Sequence, residues 1–352
     1  MLPTGLPART ALAAALLLTA GCSTSSGEGT PGGTDAPSGE DPATWSTSTD
    51  PVEVGGLVWA SGSVVHLADG TTIDVGGPAT TYVPAGDGVY FTPAESDEDV
   101  TEHSNMTTAP LHFADRDGSV SATGLTIYVE SLASSPDGRY LGLIDATSGP
   151  EDRFSDYPQA TAVIVDLTTG ERVVDTTDGM GDPQEDDLAH DYPEVYLRVR
   201  FPDNDSAFVE GLGDDTLYAL PSGDGEAADH NDVGLLDPAD PTSPDGAWAI
   251  EDHDFHDRVV SASGDVVRLS TGVPRWDLRW WLDDSTVVGV AISGPGKGLE
   301  ILPTDRRELM TCQVPDGACT LVEGTSGALV IFPWGSGEEV LNLPDGEGGG
   351  AS

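Results

Sequence analysis

The segment Ser135-Pro136-Asp137-Gly138-Arg139-Tyr140-Leu141 returns as Ser243-Pro244-Asp245-Gly246-Ala247-Trp248-Ala249, and this returning turn narrows the folds open to the chain more than any other feature. Proline presets φ, Asp-Gly supplies the tight turn, and the alternating apolar residues that follow open a strand. Weaker copies keep the same outline: Pro84-Ala85-Gly86-Asp87-Gly88-Val89-Tyr90, Phe201-Pro202-Asp203-Asn204-Asp205-Ser206-Ala207-Phe208, Leu282-Asp283-Asp284-Ser285-Thr286-Val287-Val288 and Gly324-Thr325-Ser326-Gly327-Ala328-Leu329-Val330. Successive copies stand about 40 to 65 residues apart, and each marks a strand-turn-strand corner.

The stretches between copies read as further strands. Thr161 to Asp166 is an apolar run, a polar turn follows at Thr168-Thr169-Gly170, and Val173-Val174 resumes the alternation. Residues 259–269 repeat that scheme around Ser263-Gly264-Asp265, and residues 59–75 do so around Gly62 and Asp69-Gly70. Gly 44 and Pro 26, with aromatics at only 6%, favour short strands and tight turns over long helices. Four short strands per unit at this period are the mark of a β-propeller blade. The expected fold is therefore an all-β propeller over 53–343, with six blades for six copies, or seven if 145–200 hides another. Strands from 57–75 and from 324–332 are expected to complete one blade together, closing the ring and removing a free sheet edge. A pair of β-sandwich domains is the competing architecture.

The Ser-Pro-Asp-Gly-Arg-Tyr-Leu element at 135–141, followed by a strand ending in Asp166-Leu167-Thr168-Thr169-Gly170-Glu171, resembles the WD40-like repeats of TolB-type propellers. The resemblance covers most of 55–335 in degenerate copies and lacks the Gly-His and Trp-Asp dipeptides of true WD40 blades. It implies a protein-interaction role.

The amino terminus carries a different signal. Ala11 to Ala20 is an apolar stretch of about ten residues, half of what a membrane-crossing helix needs. With Leu18-Thr19-Ala20-Gly21 leading into Cys22, it resembles a bacterial lipoprotein signal, in which 1–21 is removed and Cys22 is lipidated. That resemblance implies anchoring on the outer face of the cytoplasmic membrane by more than one acyl chain, since a single chain holds only marginally. Residues 22–52 then form a flexible polar tether of about 30 Å typical span, with Trp45 its one large apolar side chain. Residues 344–352 are expected to be a disordered tail.

Of the 3 cysteines, lipidation of Cys22 leaves Cys312 and Cys319 as a pair in a compartment where disulfides persist. A hairpin turning at Pro315-Asp316 pairs Val314 with Gly317, Gln313 with Ala318 and hence Cys312 with Cys319. Directly opposed residues of an antiparallel ladder have Cα atoms roughly 4.5 to 5.5 Å apart, within disulfide range.

Lys+Arg 14 against Asp+Glu 61 gives a net charge of -47, and Lys297 is the single lysine. A surface this acidic repels phosphate backbones and excludes nucleic acid as a partner. It attracts Ca²⁺ or a basic partner, though compositional bias or adaptation to salt gives the same charge. The densest group of potential ligands is Glu251-Asp252-His253-Asp254-Phe255-His256-Asp257, where Asp252, Asp254 and His256 share one face if the segment is extended. A solvated inter-strand loop is the leading reading, with a metal site the alternative. Gly294-Pro295-Gly296-Lys297-Gly298 has the wrong glycine spacing for a P-loop, and no Gly-x-Ser-x-Gly elbow is present. Trp276 and Trp280 are expected to share a strand face with Leu278.

These features point to a lipid-anchored, extracytoplasmic, monomeric propeller that binds an envelope protein or ligand without catalysis. An envelope hydrolase or lyase with a loop-built, calcium-assisted site at the channel mouth is the alternative.

Overall fold

A computed structural model describes residues 44–101, 104–230, 233–235 and 240–343. The signal segment 1–21, the lipidation site Cys22, most of the expected tether and the tail 344–352 lie outside the described residues. Among those described, no helix is long and apolar enough to cross a membrane.

The chain is all-β and runs as a succession of antiparallel meanders. The first holds β1 (Trp59–Ser61), β2 (Val64–His66) and β3 (Thr72–Asp74). The second holds β4 (Ala79–Ala85), β5 (Gly88–Pro93), β6 (Thr108–Asp115) and β7 (Val120–Tyr128). The third is β8 (Ala133–Ser134), β9 (Tyr140–Asp145), β10 (Thr161–Asp166) and β11 (Glu171–Thr176). A single pairing of Ile127 with Asp145 joins the second and third into one sheet. The fourth is β12 (Arg198–Arg200), β13 (Ser206–Glu210), β14 (Thr216–Ala219) and β15 (Asp224–Ala227). Next come β16 (Trp248–Glu251), β17 (Arg258–Ser261) and β18 (Val266–Val267), then β19 (Arg275–Asp283), β20 (Thr286–Ser293), β21 (Arg306–Gln313) and β22 (Cys319–Leu321). Finally β23 (Leu329–Ile331) and β24 (Val340–Asn342) return to the beginning: β23 pairs with β1 at Ala60 and Ile331, giving the strand order β24-β23-β1-β2-β3. The stretch 145–200 contributes β10, β11 and β12, with short helical turns at 188–194 and no sheet of its own.

The repeated turn owes its shape to a reused set of hydrogen bonds. Ser135 Oγ donates to Asp137 Oδ1 at 2.6 Å, while the Tyr140 amide donates to Ser135 Oγ at 2.9 Å and the Arg139 amide to Asp137 Oδ1 at 3.1 Å. The second copy repeats each bond, from Ser243 to Asp245 at 2.7 Å, Trp248 to Ser243 at 2.9 Å and Ala247 to Asp245 at 2.9 Å. Gly138 and Gly246 take φ values of 69° and 70°, which side chains with a Cβ adopt only with strain. Arg139 then reaches Asp166 at the end of β10, Nη2 to Oδ2 at 2.6 Å, tying one turn to the next.

Two expectations change. Residues 44–52, assigned from sequence to the tether, lie against the β domain: the Ser48 amide donates to the Leu167 carbonyl at 2.9 Å and the Val52 amide to the Gly86 carbonyl at 2.7 Å. Trp45 packs on the cluster that includes Val83, Tyr90 and Leu167, so burial of one indole and of Val52 offsets the ordering of a polar segment. Trp276 and Leu278 pack on one cluster as expected, but Trp280 does not join them. The register of β19 shifts between Leu278 and Trp280, which sends Leu278 into the cluster with Met310 and Cys312 and Trp280 into the one with Val288 and Phe332.

Candidate functional site

Alternation along residues 195–200 sets the site. Leu197 and Val199 enter the core, which leaves Tyr196, Arg198 and Arg200 on the other face. Arg200 pairs with Glu210 at 3.1 Å. Arg198 points toward Glu130, which sits on the single turn Val129–Ser131 between β7 and β8. That turn is held rigid: the Val129 amide donates to the Thr107 carbonyl at 3.0 Å, and the Ile144 amide to Ser131 Oγ at 2.9 Å.

The loop between β23 and β24 meets these residues. Arg198 lies over two aromatic rings, with its guanidinium carbon 3.8 Å from the Tyr196 centroid and 4.9 Å from that of Trp334. Gly337 of the same loop closes over Trp280, where a Cβ would sit 2.5 Å from Cγ, so the loop passes only as glycine. Glu338 binds Arg279 at 2.9 Å, and Arg279 also holds Asp277 at 2.7 Å. Segments distant in sequence, 130, 196–198, 257, 277–279 and 334–339, thus contribute to one charged region.

Three of its carboxyls, Asp277, Glu338 and Glu339, retain protons more readily than usual. Desolvation pushes Glu339 up to about 7, reinforced by the Glu130 carboxylate and opposed by Arg198, although much of the residue still faces solvent. Desolvation likewise raises Asp277, against the pull of Arg279 and with the Asp257 carboxyl adding to it. Glu338 is raised by desolvation and lowered in part by Arg279. An open pocket of about 370 Å³ adjoins Arg198, lined by Ser104, Asn105, Glu130, Glu194 and Tyr196 among others.

The metal candidates do not assemble as the sequence implied. Asp254 and Phe255 take positive φ values of 50° and 61°, so the segment curls and Asp252, Asp254 and His256 do not share an extended face. All three are exposed, and His256 packs its ring at 5.3 Å from Trp276. Among the described residues, no group of three or more His, Cys, Asp or Glu side chains is placed to hold a metal ion. The neighbour that organises this loop is the buried Asp257, whose carboxylate accepts from the His253 amide at 2.8 Å and the Leu278 amide at 2.7 Å. The sequence showed the run but could not show which of its acids points inward.

The expected hairpin forms. Cys312 and Cys319 are opposed in the ladder and joined by a disulfide, with Cα atoms 4.0 Å apart, and the Gln313 amide donates to the Ala318 carbonyl at 2.9 Å.

No family model matches the sequence, and no curated protein matches it. Similar solved structures include a putative TolB from Agrobacterium tumefaciens, at 14% identity over 82% of this chain and 92% of that one, TM-score 0.33. A prolyl endopeptidase is similar at 16% identity, 82% of this chain and 50% of that one, TM-score 0.41. An oligogalacturonate lyase in complex with manganese is similar at 11% identity, 75% of this chain and 70% of that one, TM-score 0.29. What the chain itself defines is an all-β protein of successive antiparallel meanders whose first and last strands share a sheet.

Proposed function

We propose that this chain is a lipid-anchored, extracytoplasmic β-propeller that binds an envelope protein or ligand without catalysis. Six successive strand groups, counting β23 and β24 with β1 to β3, support a six-bladed ring closed through the β1–β23 pairing. The Cys312–Cys319 bridge supports an oxidising compartment, in keeping with lipidation at Cys22. The observation that carries the binding role is the convergence of distant segments on the loop 334–339, where an arginine lying over two aromatic rings stands beside a pocket bearing carboxylates. Aromatic and arginine side chains dominate recognition surfaces.

A photo-crosslinking side chain placed at Tyr196 in the cell tests the reading. A discrete adduct at Tyr196 that is absent with the same group at Val266, an exposed residue of β18, supports it. Equal or absent labelling at both positions overturns it. Metabolic labelling with a fatty acid, lost in Cys22→Ser, tests the anchor.

The raised Asp277 and Glu339 carboxyls favour one second reading, an envelope hydrolase or lyase in which a carboxyl protonated near neutrality acts as general acid. Calcium bound through Asp252, Asp254 or His256 belongs to that reading. Turnover of an envelope polymer by the full chain, abolished by Asp277→Asn, would establish it.

A further inference from the structure

The Glu130 carboxylate is short of partners. The residue is 8% exposed, and its Oε2 accepts no hydrogen bond. Its charge partner, Arg198 Nη2, stands 3.6 Å away, beyond hydrogen-bond reach. The guanidinium lies over the Tyr196 and Trp334 rings, and its own buried Nε has no acceptor. A buried carboxylate oxygen lacking a donor costs more than an ordinary missing hydrogen bond, and a charged donor at the part of the side chain that stays 11% exposed would strengthen the charge balance of this carboxylate.

Glu130 lines the pocket of about 370 Å³ beside it, a size that admits one long side chain. The other charged group in the lining is Glu194, and among the described residues no lysine, arginine or histidine lines the pocket. Asn105 fixes one wall by donating from Nδ2 to the Val195 carbonyl at 2.7 Å and the Pro193 carbonyl at 3.2 Å. Tyr196, 55% exposed, presents its phenol at the rim. Glu339 shares the field of Arg198 with Glu130, which adds to the negative charge beside the pocket. The net charge of -47 draws cations toward this surface at long range.

We infer that the Glu130 pocket is a binding site for a single organic cation, an ammonium or guanidinium group, seated on the Glu130 carboxylate between Glu194 and Tyr196. The inference rests on reading the chain as a binding module and names the chemistry its partner presents. Two sources carry that chemistry, a lysine or arginine of a basic peptide segment and a free polyamine.

Titration calorimetry of the full chain with Nα-acetyl-lysine methylamide, Nα-acetyl-arginine methylamide and spermidine tests it. Salt near 0.15 M suppresses diffuse attraction, because the screening length is then about 8 Å. Saturable one-site binding of a lysine or arginine amide, with none by the uncharged norleucine analogue, assigns a peptide source; binding of spermidine alone assigns a polyamine. In either case Glu130→Gln weakens binding at least about tenfold, and Glu226→Gln on β15 leaves it unchanged. Should Glu130→Gln fail to fold, Glu194→Gln on the exposed rim weakens binding severalfold. Absence of saturable binding by all three cations overturns the inference, as does binding indifferent to Glu130→Gln and Glu194→Gln, or displacement of the amine by equimolar Ca²⁺. If the cations fail while the Tyr196 crosslink persists, the module reading stands and only the cation assignment falls. If they bind while the crosslink fails, the reverse holds.

Discussion

Two arginines in this protein meet carboxylates in opposite ways. Arg275 and Asp305, 3% and 0% exposed, pin the loop 294–305: Nη2 donates to Asp305 Oδ2 at 2.6 Å, and Nη1 to the Glu300 carbonyl at 2.6 Å. Asp305 also accepts from the Gly296 amide at 3.0 Å and the Leu302 amide at 2.8 Å. Burial raises its carboxyl, but the Leu302 amide, Arg275 and the Gly296 amide together outweigh that and hold it at about 2. Around Arg198 the same kinds of group leave Glu130 without a hydrogen bond and Glu339 up at about 7. One cluster spends its donors on architecture, with only Arg275 Nε left unbonded. The other keeps acceptors in reserve, as a site that awaits a ligand does.

The largest test of that contrast is Arg275→Leu, which strands a buried carboxylate and is expected to lower the melting temperature by roughly 5 to 10 °C. Arg198→Leu is expected to cost less than half as much, because its partners are incompletely bonded already; an equal loss would erase the distinction. Differential scanning calorimetry of the two variants decides.

The pH dependence has opposite signs in the two clusters. Asp305, depressed from 3.8 to about 2, contributes stability that is present above the unfolded value and lost as pH falls through 2. Glu339, raised from 4.5 to about 7, contributes stability that is fully present below 4.5 and lost as pH rises through 7. Melting temperature is therefore expected to decline from pH 5 to pH 8, and Glu339→Gln to flatten that decline. Carboxyl NMR titrations with midpoints near 7 for Glu339 and near 2 for Asp305 are the direct check; midpoints in the reverse order would refute the contrast.

Calcium is expected to have the smallest effect. With Asp252, Asp254 and His256 exposed and no three-ligand group among the described residues, millimolar Ca²⁺ should raise the melting temperature no more than NaCl of equal ionic strength, through screening of the net charge. A rise specific to Ca²⁺ and lost in Asp252→Asn would restore a metal role to that loop.

The sequence disclosed the parts of the fold that are local. Ser-Pro-Asp-Gly at 135–138 and 243–246 folds into the same hydrogen-bonded turn in both places, and Cys312 and Cys319 meet because the intervening hairpin places them opposite each other. It did not disclose β24, whose short Val340–Asn342 run carries no turn signal of its own. Nor could alternation foresee the bulge in β19, since one inserted residue exchanges the faces of everything after it. The face that Asp252, Asp254 and His256 would share was conditional on an extended backbone, and two residues of the segment take the left-handed region instead.

By itself, then, the sequence determined turn geometry, strand content, the disulfide register and an overwhelming negative charge, all properties of neighbouring residues or of their sum. Only the tertiary structure decided that Glu130, Arg198, Trp334 and Glu339 would share one place, because their association depends on strands and loops far apart in the chain and on burial that no short window of residues encodes. It also decided which acids are held by donors and which are left waiting for one.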